Sequence, residues 1–276
     1  MADSNNTDRE RAVIASGDEL AVLLHHHSAD VLLALLDNPA LDEMHLCLLL
    51  ERKDLRGEIL EEVARRKPLL KSYRVKKSLA FHPRTPRLVS LRLLRDLYLM
   101  DIVQVAISPG VSAELKRNAE EQLLARLPQL PLGQKITLAR RGPARVAGAL
   151  LAEGHAQVTP IVLDNPHMTE AQILRALSRE KLPIFVIPAI VQHRKWAINY
   201  NIRLALVRNP STPLASILSY LPELTVSDLR ELAAPGIVPE SLRKYLQAEV
   251  QRRMRVSKKA ASRDAASADS SASKQD

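Results

Sequence analysis

A single cysteine, Cys47, leaves this chain of 276 residues without an intrachain disulfide and without a zinc site of the paired-cysteine kind. A reducing compartment, the cytoplasm, is the expectation. Aromatic residues make up only 3% and glycines number 8, while Leu, Ala, Arg and Glu abound. That balance favours helices and disfavours all-β folds and dinucleotide-binding sheets. The opening stretch, MADSNNTDRERAVIAS, lacks the basic start and long apolar run of a secretion signal, and no apolar run of membrane-spanning length follows. Neither export nor a membrane span is expected. Gly133, Gly142, Gly148 and Gly154 form no phosphate-binding fingerprint, and no Ser-His-Asp or Cys-His arrangement has local support. His25, His26 and His27 are consecutive, so on a helix they point about 100° apart and cannot face one ion together. No metal, cofactor or catalytic residue is implied.

What is present is a core-forming 46% of hydrophobic residues and a net charge of +9. Part of that charge lies in the tail 254–276, RVSKKAASRDAASADSSASKQD after Met254, which lacks large apolar residues and is expected to be disordered. Residues 1–14 are expected to be a flexible N-terminus.

The region between them repeats. FHPRTPRLVSLRLLRDLYLMD, starting at Phe81, lies over RNPSTPLASILSYLPELTVSD, starting at Arg208, with both prolines, the Thr, three leucines and the closing Asp aligned. The offset is 127 residues. It also places LLDNPALDE (35–43) on VLDNPHMTE (162–170) and Tyr73 on Tyr200. Roughly a quarter of the paired positions are identical without a gap. Residues 15–126 and 132–253 therefore read as two copies of one unit. Within each copy a shorter period of 44 separates Asn38-Pro39 from His82-Pro83 and Asn165-Pro166 from Asn209-Pro210.

The prolines read as corners, because Pro cannot donate a helix hydrogen bond and biases its predecessor away from helical dihedrals. Asp42, Thr85, Thr169 and Thr212 follow as candidate caps, with Pro86 and Pro213 expected at the first helical position. Leu88, Leu91, Leu94 and Leu97 mark one expected buried stripe, Ile217, Leu218, Leu221 and Leu224 a second, and Ile59, Leu60 and Val63 a third.

On these corners, the repeat length and the Leu and Ala spacing, the chain resembles the HEAT-like and armadillo-like helical repeat proteins over residues 15–253. The resemblance implies an all-α fold, a right-handed α-α superhelix (solenoid) of about six repeats built as a tandem duplication of a three-repeat unit, with a concave face for a partner. Peptide-binding armadillo proteins carry a Trp with an Asn one helical turn later. Here Trp196 is followed by Asn199 and Tyr200, and the first copy has Leu69 at the Trp position.

Charge is the other pattern. No acid occurs from Val63 to Arg95 or from Lys181 to Pro222, and the cations crowd just before each second corner, in KSYRVKKSLAF and KWAINYNIRLALVRN. One reading is a solvated face balanced by acids on neighbouring helices such as Glu58, Glu61 and Glu62. The other is a basic strip, with Lys71, Arg74, Lys76, Lys77, Arg194, Lys195, Trp196, Asn199 and Arg203 as candidate partner-binding residues. Tyr73 and Tyr200 read as packing residues in both copies. The expected function is a non-enzymatic scaffold for an acidic protein or peptide, with a nucleic-acid backbone as the alternative partner. A shortage of aromatics argues against single-stranded nucleic acid. Some HEAT-like proteins excise alkylated bases from DNA with aromatics and a carboxylate, but the sequence near Trp196 has no Asp or Glu within two helical turns.

Overall fold

A computed structural model describes residues 2–179 and 181–272 of the chain. Among these residues all regular structure is helical, as the composition indicated, and no strand occurs. The chain divides into two compact units, Met1–Pro131 and Leu132–Asp276. The first holds α1 (Ala2–Ile14), α2 (Gly17–Leu23), α3 (Ala29–Leu35), α4 (Glu43–Glu51), α5 (Gly57–Arg65), α6 (Tyr73–Phe81), α7 (Arg87–Leu94), α8 (Leu99–Ile107) and α9 (Ala113–Arg126). The second holds α10 (Leu132–Arg141), α11 (Ala144–Glu153), α12 (Thr159–Leu163), α13 (Glu170–Leu177), α14 (Val186–Gln192), α15 (Tyr200–Arg208), α16 (Leu214–Tyr220), α17 (Val226–Leu232) and α18 (Glu240–Ala272). Short 3-10 turns at Leu69–Lys71, Leu127–Gln129 and Leu221–Glu223 join some of them.

Packing runs between near neighbours, α4 on α6 and α8 on α9 in the first unit, α11 on α13 and α13 on α15 in the second. The buried positions follow the helical period. In α5, Ile59, Leu60, Val63 and Ala64 are buried with Glu58, Glu61 and Glu62 on the outer side, as the spacing indicates. Of the expected leucine stripe along α7, Leu94 and Leu97 are buried and Leu88 and Leu91 are not. Leu88 is 79% exposed, and Val89 and Leu93 join Leu94 and Leu97 in the core. A step of three residues falls back about 60° around a helix of 3.6 residues per turn, so four such positions sweep about half the circumference. Leu218 is likewise 38% exposed, while Ile217, Leu221 and Leu224 are buried.

The same hydrogen bonds recur at the 127-residue spacing. Buried Asn38 donates Nδ2–H to the carbonyls of Ala12 and Ala15, both at 2.8 Å, and its Oδ1 accepts from Ala40 N–H at 2.7 Å. Buried Asn165 donates to Ala139 and Gly142, at 2.7 and 3.1 Å, and accepts from His167 N–H at 2.7 Å. Each Asn thus holds the C-terminal carbonyls of α1 or α10, which have no partner inside their own helix. The Tyr73 hydroxyl donates to Asp101 and accepts from Tyr98 N–H at 3.0 Å; the Tyr200 hydroxyl donates to Asp228 and accepts from Thr225 N–H at 3.0 Å. Arg66 pairs with Asp37 where His193 meets Asp164.

At the corners, Asp42 caps α4 in a reciprocal box with His45, whose backbone N–H holds the Asp42 carboxyl below its ordinary value. Thr169 occupies the cap of α13 without a side-chain bond. Thr85 and Thr212 do not cap. The Thr85 hydroxyl turns back to the Leu79 carbonyl at 2.6 Å, and Thr212 is buried with its hydroxyl unpaired. Pro86 and Pro213 are themselves the cap residues, with ψ of 137° and 134°, so the helices begin one residue later than expected.

Both termini are helical where the structure describes them. Residues 2–14 form α1, with Ala12 fully buried. The tail is helical up to Ala272 as a continuation of α18, although no side chain from 247 to 256 is buried. Ala, Lys and Arg are good helix formers without a core to join, and a composition that cannot pack is still able to propagate a helix already started by Leu242 and Leu246. Residues 273–276 lie outside the described part.

Candidate functional site

The basic helix α6 begins at Ser72, whose Oγ accepts from Val75 N–H at 3.3 Å, and it buries Val75, Leu79 and Ala80. Lys71 and Arg74 are exposed. The Arg74 guanidinium comes no closer than 3.8 Å to Glu43 on α4. Lys76 reaches Asp96 at 3.5 Å, and Lys77 reaches Asp101 at 2.7 Å. Burial would raise the Asp101 carboxyl, but the hydrogen bonds from Lys77 and Tyr73 hold it below its ordinary value. Burial first, and then the bond to Asp101, push the Tyr73 phenol up to about 12.

The sign of the pH dependence follows from these directions. The depressed Asp101 contributes stability that is present above its ordinary value of 3.8 and is lost as pH falls below it. Tyr73 contributes stability that is present below its ordinary value of 10.0 and is lost as pH rises through about 12. In an alkaline titration followed at 295 nm, one tyrosine step near 12 should vanish in Tyr73→Phe. Asp101→Asn should flatten the loss of thermal stability below pH ~4. A step near 12 left unchanged in Tyr73→Phe would show that Tyr73 is not the phenol that titrates there.

In the turn that precedes α15, the counterpart of α6 in the second unit, Arg194 and Lys195 are exposed, and the Lys195 ammonium sits 4.1 Å from the Trp196 ring centre. Trp196 is not a surface anchor. It is buried, 4% exposed, with its indole N–H donating to the Leu163 carbonyl at 2.8 Å. Asn199 is also spent: Oδ1 caps α15 by accepting from Ile202 N–H at 3.1 Å, and Nδ2 donates to Glu170 at 2.9 Å. Arg203 turns inward, donating to the Ala197 carbonyl at 2.6 Å, pairing with Glu223 and lying 5.5 Å from the Tyr220 ring centre. Lys76–Asp96 and Arg203–Glu223 are the same pair 127 residues apart.

Four of the predicted residues, Lys71, Arg74, Arg194 and Lys195, thus present charge to solvent, and Lys76, Lys77 and Arg203 are neutralised by acids some 20 residues downstream. Lys67 and Arg95 join the exposed set, and like Lys71 they make no ion pair among the described residues.

Two surface grooves lie at equivalent places, with no signature in residue spacing. In the second unit a groove of about 730 Å³ runs along α13 and α15, with Leu174, Leu204 and Ala205 on its apolar side and Arg179, Asn201 and Arg208 on its polar side. In the first, a groove of about 470 Å³ along α4 and α6 carries Glu43, Cys47, Arg74, Lys77 and Ser78. At the 127-residue spacing Arg74 becomes Asn201, Lys77 becomes Leu204 and Cys47 becomes Leu174, so the second groove is the more aliphatic of the two, with Arg179 and Arg208 at its polar side. Glu170 bonds Asn201 at 2.6 Å where Glu43 approaches Arg74.

Among the described residues no group of three or more His, Cys, Asp or Glu is placed to hold a metal ion, and no helix is long and apolar enough to cross a membrane. His26 instead accepts from Ser28 N–H through Nδ1 at 3.0 Å. No family model, curated protein or solved structure matches the chain.

Proposed function

We propose that this chain is a non-enzymatic helical-repeat protein that binds an acidic protein or peptide through the exposed cations of residues 67–95. The observation that carries this reading is that Lys67, Lys71 and Arg95 make no ion pair among the described residues in a stretch without one Asp or Glu. A neutralised face would have left them partners. We read the fold as about six HEAT-like repeats, in two copies at 15–126 and 132–253. The paired hydrogen bonds of Asn38 and Asn165, and of Tyr73 and Tyr200, support that duplication.

Pairing of Lys76 and Lys77 with acids moves the mutational test to Lys67, Lys71 and Arg74. Reversing these three to Glu should weaken binding of an acidic peptide at least tenfold, with helical circular dichroism and melting temperature unchanged. Unaltered binding would remove this surface from the hypothesis. The second reading, a nucleic-acid backbone, rests on the same free cations and is separated by salt. Binding of duplex DNA through several phosphates falls with a slope of about one per contact in a log–log plot. A base-excision reading has less support, because Trp196 is buried and Glu170 is already engaged by two asparagines.

A further inference from the structure

Beneath FHPRTP, the second corner of the first unit, lies a cavity of about 270 Å³ between the end of α6, α7 and the start of α9. Its apolar lining includes Phe81, Leu91, Val111 and Leu115. The polar groups around it are nearly all engaged. His82 uses Nε2 on the Arg52 carbonyl at 2.7 Å and Nδ1 on Arg84 N–H at 3.2 Å. Thr85 donates to Leu79, Ser112 caps α9 by accepting from Leu115 N–H at 3.3 Å, and Arg87 pairs with Glu114. Ser90 is the exception. It is 6% exposed and lines the cavity, and its hydroxyl has no hydrogen-bond partner among the described residues. Its hydroxyl is thus free to bond whatever enters the cavity.

The second unit shows what this corner looks like when it is only packed. At the 127-residue spacing Ser90 becomes Ile217, which is buried, Gly110 becomes Ile237, Arg87 becomes Leu214 and Glu114 becomes Ser241. Ser90, Gly110, Arg87 and Glu114 of this lining have no like residue in the second unit, whereas Thr85 is matched by Thr212. A Cβ on Gly110 would meet nothing within 4 Å, so its small size is not forced by the local backbone.

We propose that this cavity is a binding site for a small uncharged amphiphile, an aromatic or aliphatic body carrying one hydroxyl that pairs with Ser90. The volume lies near the lower end of sites that enclose small organic ligands, about 300 Å³ upward. A charged ligand is disfavoured because Phe81, Leu91, Val111 and Leu115 offer it no counter-ion and the exposed Arg87 is paired with Glu114. The apolar body displaces water from Phe81, Leu91, Val111 and Leu115, and the hydroxyl gives orientation.

The test uses the full chain and three probes, 2-naphthol, naphthalene and 2-naphthoate, titrated by calorimetry and by amide shifts in two-dimensional NMR. The wild-type protein should bind 2-naphthol about tenfold more tightly than naphthalene, since one neutral hydrogen bond supplies about 1 kcal/mol or slightly more. 2-Naphthoate should bind more weakly than 2-naphthol. Ser90→Ala should bring 2-naphthol and naphthalene level, and Ser90→Ile, the residue of the second unit, should remove both. If Ser90→Ile does not fold, Gly110→Ile closes the cavity from the α8–α9 loop and should give the same loss. Absence of 2-naphthol binding to the wild type, or binding that survives a folded Ser90→Ile or Gly110→Ile chain, would overturn the proposal.

Discussion

Trp196→Ala should lower the stability of the second unit by about 4 kcal/mol, within the ~3–5 kcal/mol typical of large aromatic truncations in a core. Two losses combine. The indole is buried in its own unit, so truncation leaves a cavity that the fixed helices around it cannot fully close. Its N–H also serves the Leu163 carbonyl at the end of α12, which no helical bond satisfies. Hydrogen exchange should quicken at α12 and at the start of α15, and the melting temperature should drop by roughly 10 °C. Trp196→Phe restores most of the volume and not the hydrogen bond, so it should recover more than half of the loss. A Trp196→Ala chain that melts with the wild type would mean the ring is a surface anchor after all.

Asn165→Ala should cost about 3 kcal/mol, and Asn38→Ala about the same in the first unit. Each substitution removes three hydrogen bonds made from a buried position. It strands the last carbonyls of the preceding helix, Ala139 and Gly142 or Ala12 and Ala15, together with one turn N–H. Pocket-filling cannot rescue them, because an aliphatic side chain offers no donor. Urea unfolding checks the value, and the comparison of the two variants adds a second criterion. The partners correspond and the distances are close, so the two costs should agree within about 1 kcal/mol; a large disparity would show that the matched bonds differ in worth.

Legibility in the sequence divided along a physical line. The helical class, the corners at Pro39, Pro83, Pro166 and Pro210 and the pairing of Tyr73 with Tyr200 were readable, because each depends on a residue's own backbone chemistry or on its spacing. The side-chain partners were not. Lys76 looks like a free cation in a stretch without acids, and only the fold brings Asp96 to it. Trp196 looked equally suited to a surface, since the carbonyl that claims its N–H lies 33 residues earlier. The Asp that closes the repeated block, Asp101 or Asp228, was the one available hint of the tyrosine's partner, and its regular place 28 residues after Tyr73 or Tyr200 carried that signal. Thr85 and Thr212 misled because a short hydroxyl near a helix start has two outlets, the following N–H groups or the preceding carbonyls, and spacing does not distinguish them.

The reach of these bonds has a consequence for how the protein is made. Among the described residues the side-chain hydrogen bonds within each unit span at most 33 positions, and the helices that pack most extensively are separated by no more than one other α-helix. A chain leaving the ribosome therefore completes its contacts with segments that emerged only moments before, and pays a small closure entropy for each. No stretch of apolar surface must wait for a distant partner to be synthesised, so folding is expected to keep pace with translation.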